Sequence, residues 1–156
     1  MEAQFIYQNL AYHLDTFPHG FPSTESGVEL KILAALFTPD EARLGALLPL
    51  GFTTLSELAD LTGWEGSKLR GLVKSMAQKG LINLRQEEGA ISVSPLPFIV
   101  GFYENQRENL DESLAQLVED YFTETGFGLL AVQPAFHRVI PVREAIETKI
   151  EILPEN

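Results

Sequence analysis

A mainly α fold with a small β-hairpin, built on a winged helix-turn-helix core with added N- and C-terminal helices, is what three features of this chain predict. "SELADLTGWEGSKLRGLVKSMAQKG", residues 56–80, places apolar residues at helical spacing on both sides of a glycine turn. "LINLRQEEGAISVSP", residues 81–95, sets two β-prone runs around an acidic, glycine-containing turn at Gln86 to Gly89. Hydrophobic residues make up 45% of the 156, enough for a core without help from disulfides, since there is no cysteine. One domain spanning 1–156 is expected, with the winged-helix core at about 52–95 and helical extensions at 3–48 and 97–150.

The elements follow in chain order. Residues 3–16 read as a helix because Ile6, Leu10 and Leu14 recur every four. The loop "PHGFPSTESG" is punctuated by proline and glycine. "VELKILAALF" gives a second helix, and Thr38-Pro39-Asp40-Glu41 then opens a third that runs through Leu48: a cap residue, proline at the first helical position, then acids in the first turn. Leu55, Leu58, Ala59 and Thr62 share one face of the first core helix. Thr53 or Thr54 caps it, and Glu57 completes a capping box with Thr54. Gly63 permits the turn, and small Ala59 and Gly63 suit a close crossing of the two helices.

The second core helix buries Leu69, Leu72, Val73 and Met76 and stops at Gly80. Beyond the hairpin, "PLPFIVGFYENQREN" is predicted to turn helical from Pro97. A long helix follows, with Leu110, Leu114, Leu117, Val118 and Tyr121 on one face and Asp111, Glu112, Glu119 and Glu124 opposite. "AFHRVIPV" and "IEILPEN" read as extended segments around a short helix near Arg143 to Thr148. No apolar run approaches the ~18 residues of a membrane span and no signal peptide opens the chain, so a cytoplasmic protein away from membranes is expected.

The formal charge is −11, from 11 basic and 22 acidic residues. Affinity for nucleic acid rests on neutralising phosphates, so the balance is adverse. It is also uneven. Residues 64–85 hold Lys68, Arg70, Lys74, Lys79 and Arg85 against Glu65, a local +4 that leaves −15 elsewhere. With the apolar stripe of the second core helix inward, Ser67, Gly71, Lys74 and Gln78 face out, with Arg70 at the margin. Ser67, Lys68, Arg70, Lys74 and Arg85 are therefore the candidates for DNA contact. Base reading uses the first turns of such a helix, and here those turns offer Glu65, Gly66 and Ser67. A wing tip of Glu87-Glu88 would also meet the backbone with negative charge.

No catalytic constellation emerges. His13, His19 and His137 lack metal-ligand spacing, Ser67 has no nucleophile elbow around it, and Gly126-Phe127-Gly128 is a helix stop rather than a phosphate loop.

Four stretches resemble one family: "FPSTESGVELKILAALFTPDEA" (21–42), "PFIVGFYENQ" (97–106), "FHRVIPV" (136–142) and "EILPEN" (151–156). Together they are similar to the N-terminal region of bacterial and archaeal 4Fe–4S ferredoxin-type proteins. In that family a winged-helix-containing segment precedes a domain bearing CxxCxxCxxxC cluster motifs. The resemblance implies a non-catalytic scaffold or protein-interaction module beside a C-terminal cluster domain outside this chain, either an excised domain or a relative lacking the clusters. Clusters are held by thiolates, so no cluster ligand carries over and no cofactor is expected in these residues. Its expected partners are the iron–sulfur domain or another protein, with a homodimer compatible. The alternative is a winged-helix DNA-binding regulator.

Overall fold

A computed structural model describes residues 2–87, 89–106 and 111–126. Its elements are helices α1 (Glu2–Asp15), α2 (Val28–Leu36) and α3 (Pro39–Leu47), strand β1 (Thr53–Thr54), helices α4 (Leu55–Thr62) and α5 (Gly66–Gln78), strands β2 (Ile82–Glu87) and β3 (Ala90–Pro95), and helix α6 (Glu112–Thr125). The described chain is thus mainly helical, with one three-stranded antiparallel sheet in the order β1-β3-β2. Val93 of β3 sits between Thr53 and Leu84 in the register and is fully buried.

Sequence-encoded caps set the helix starts. Thr38 accepts from the Glu41 N–H while the Glu41 carboxylate accepts from the Thr38 N–H, and Thr54 with Glu57 repeats the same box at α4. Gly63 ends α4 at φ 67° and Gly80 follows α5 at φ 68°. The close helix crossing expected at Gly63 is corrected: a Cβ built there meets nothing within 4 Å. Gly63 is required by its left-handed backbone alone, and Ala59 is only half-buried.

The core joins every helix. Ile6, Leu10 and Leu14 of α1 lie with Ile32 and Leu33 of α2 and Leu44 of α3, and the cluster continues through Leu58, Leu69, Val73 and Met76. Leu72, expected in that stripe, is half-buried. Leu114, Val118 and Tyr121 bring α6 into the same cluster. Asp111, read as part of the acidic outer face, caps α6 by accepting from the Leu114 N–H at 2.7 Å. The Tyr121 hydroxyl donates to the Pro22 carbonyl at 3.1 Å, and burial, aided by the Glu29 and Asp15 charges, raises its pKa.

The segment after β3 departs from expectation. The helix predicted from Pro97 is instead a compact turn over Phe98–Phe102, followed by a 3-10 turn over Glu104–Gln106. Ile99 is extended, and Val100 is left-handed at φ 54°. Packing explains the difference. Phe98 and Phe102 are both buried, against Phe21, Phe37 and Tyr121, with ring centroids 5.0–5.6 Å apart. Gly101 backs so closely onto Pro97 that a Cβ would lie 3.0 Å from its Cδ. Two ring anchors and one close approach override the weak helical preference of Ile99-Val100. Leu110, His137, the extended segments at 135–142 and 150–156 and the helix near Arg143 lie outside the described residues. Among the described residues, no helix is long and apolar enough to cross a membrane.

Candidate nucleic-acid interface

Helix α5 presents the candidate face. Leu69, Val73 and Met76 are buried on its inner side, so the helical period turns Ser67, Arg70, Gly71, Lys74 and Gln78 to solvent. Lys68 is exposed as well, and Arg85 is exposed on β2. Four of the five predicted residues therefore share one helix, and the fifth stands on the hairpin that follows it.

Two of their four cations, Lys68 and Arg85, are engaged within the fold. Lys68 Nζ lies 3.2 Å from Asp40 of α3 and 4.5 Å above the ring centre of Trp64. The Arg85 guanidinium stacks 4.2 Å above the Phe52 ring. Lys79, counted in the local +4, turns inward: Nζ is 2.7 Å from Glu41, a carboxylate 1% exposed, and donates to the Leu36 carbonyl at 3.4 Å. That leaves Arg70 and Lys74 as the α5 cations with no acidic partner among the described residues.

The start of the helix is no better furnished. Glu65 is the residue before α5, and its carboxylate is 3.5 Å from the Ser67 hydroxyl, which donates to it. An acid at this end complements the helix dipole and opposes a phosphate. Glu65 makes no side-chain cap bond to α5, so its charge acts on that end only through space.

Sequence reasoning missed Glu41 as the centre of a polar cluster. It accepts from Lys79 (2.7 Å), the Ser75 hydroxyl (2.6 Å) and the Thr38 N–H (2.8 Å). Burial raises its pKa, but these hydrogen bonds and the Lys79 charge outweigh that, so the carboxyl is held below its ordinary value. The capping signature placed Glu41 at the helix start, but nothing local showed that α5 would bring Ser75 and Lys79 to it. The Phe52 platform under Arg85 was missed for the same reason, whereas Trp64 stands only four residues before Lys68 and was within reach of a local reading. Of the histidines, His13 stands edge-on to Phe17 with centroids 5.6 Å apart, and His19 is buried.

No family model, curated protein or solved structure matches this chain.

Proposed function

We propose that the chain is a non-catalytic winged-helix module serving as a scaffold or protein-interaction unit, in the cytoplasm, beside a 4Fe–4S cluster domain outside these residues. The succession α3-β1-α4-α5-β2-β3 with sheet order β1-β3-β2 supports the winged-helix reading, because it sets a helix-turn-helix against a hairpin wing. The cluster domain rests on the family resemblance alone. The observation that carries the choice of interaction over DNA reading is the engagement of cations on and after α5. Lys79 is tied to buried Glu41 and Lys68 lies beside Asp40, so two of the five cations of residues 64–85, one of them a predicted contact residue, already have an acidic partner.

A DNA-binding regulator is the second reading, favoured by one observation: Ser67, Arg70 and Lys74 are exposed together on the outward face of α5. Fluorescence anisotropy with mixed-sequence duplex DNA separates the two. The expected result is no sub-micromolar binding near physiological salt. Tight binding that falls steeply with salt and is lost in Lys74→Glu would replace the first reading with the second.

A further inference from the structure

The one tryptophan of the chain stands in a groove of about 560 Å³. Ile6 and His13 of α1, Arg43 and Leu47 of α3, and Trp64 in the turn from α4 to α5 line it. That volume is in the range of small-ligand sites, which set a few polar groups among apolar walls. The charge of the groove departs from that of the protein. In a chain of 22 acidic and 11 basic residues, no Asp or Glu is among the described residues lining it, and Arg43 is the one formally charged side chain that is. Asp15 and Glu65, next in sequence to the lining residues Thr16 and Trp64, are exposed and form no part of the lining. Asp40 lies 3.6 Å from the Arg43 guanidinium, but Lys68 also meets it at 3.2 Å, so two cations stand against one acid there. His13 adds a second polar group. Its Nε2 is buried with no hydrogen-bond partner among the described residues, whereas buried polar atoms ordinarily find one.

We propose that this groove binds a small aryl monocarboxylate, its carboxylate on the Arg43 guanidinium and its ring against Trp64 and Leu47. Charge complementarity fixes the acid. A guanidinium presents a planar fork that matches one carboxylate and leaves donors over for Asp40. A dianion would bring a second charge for which the lining holds no second cation. The walls fix the rest of the ligand. Ile6, Leu47 and the ring of Trp64 favour an apolar aromatic body behind the acid over a bare anion. At physiological salt, screening confines charge effects to about 8 Å, so Arg43 rather than the −11 of the whole chain sets what a small anion meets here. His13 belongs to the same lining, and an oxygen-bearing ligand offers its Nε2 a partner. Lys68 Nζ lies 4.5 Å from the ring centre of Trp64, so the groove and α5 share one side chain. None of Ser67, Arg70, Lys74 and the hairpin lines the groove, so the site stands whether the module binds protein or DNA.

Hydrocinnamate is the probe, because it is transparent where tryptophan is excited at its red edge, and Trp64 is the reporter, because no other tryptophan contributes. Titration should shift Trp64 emission saturably, with a Kd below ~1 mM, and the uncharged hydrocinnamide should bind at least ~10-fold more weakly. Arg43→Gln should weaken binding of the acid at least ~10-fold and leave that of the amide unchanged. Lys31→Gln, exposed on α2 and outside the groove, should change neither. The Arg43 side chain is 45% exposed, so Arg43→Gln should barely move the melting temperature, which separates a lost contact from a lost fold. No saturable shift up to ~10 mM overturns the proposal, as does equal affinity for acid and amide or full affinity in Arg43→Gln. Displacement of the probe by inorganic phosphate at equal concentration would also overturn it, by showing a bare-anion site.

Discussion

Replacing Lys79 with methionine removes one charge from the Glu41 cluster while keeping an apolar stem of similar length. The carboxylate left behind is 1% exposed and retains two donors, the Ser75 hydroxyl and the Thr38 N–H. Breaking a fully buried pair costs about 3–5 kcal/mol. Lys79 is itself 38% exposed, and solvent screens that side of the pair, so the expected loss is smaller, about 1–3 kcal/mol. For a chain of this size that lowers the melting temperature by roughly 2–12 °C. The effect should depend on pH in a fixed direction. The folded-state pKa of Glu41 is depressed, so its stabilising contribution is complete above the unfolded carboxyl value and is lost as pH falls through the folded value. Urea unfolding of both proteins at pH 7 and near pH 3 measures this: the gap between them should be full at pH 7 and narrow in acid. A gap below about 0.5 kcal/mol at pH 7, or one that does not narrow at pH 3, would refute the assignment of Lys79 to the Glu41 carboxylate.

Three further outcomes follow from the geometry. Val100→Gly should be neutral or stabilising by up to about 1 kcal/mol, since a β-branched residue at φ 54° is strained and its side chain is 49% exposed; thermal unfolding reads it. Leu114→Ala on α6 should cost about 2–5 kcal/mol in chemical denaturation, because the side chain is buried; a negligible loss would detach α6 from the core. Thr54→Ala should cost about 1 kcal/mol by removing the oxygen that accepts from the Glu57 N–H, measured by the same denaturation.

What the sequence made legible was local. Thr38 and Thr54 announced their helices because a capping box is written within four residues, and Gly63 announced its turn because a positive φ selects glycine. The stripe on α5 was readable because Leu69, Val73 and Met76 obey a helical period. What escaped depended on distant partners. Strand β1 is two residues long, too short to show alternation, and exists because β3 lies alongside it. The turn at Phe98–Phe102 looked helical until Phe21 and Tyr121 supplied a pocket for its rings. At the candidate interface the sequence reading placed Ser67, Arg70 and Lys74 on the face of α5 that is exposed, and it counted five cations over residues 64–85. Their charge was overcounted, because the reading could not see Glu41 and Asp40 waiting across the fold.

The aromatic cluster sets a schedule for the folding chain. Phe21 is covered by Phe98 and Tyr121, and the Tyr121 hydroxyl closes on Pro22, ninety-nine positions earlier. Synthesis at about 5–20 residues per second puts roughly 5–20 seconds between the appearance of the first partner and the last. Throughout that interval Phe21 has no α6 to cover it, and the α2 face that meets α6 is equally bare. Closing so long a loop is entropically costly until its contacts form, so completion of the N-terminal half should be a late, slow event. A nascent chain halted before residue 111 would therefore present an apolar surface to chaperones, and release of α6 would withdraw it.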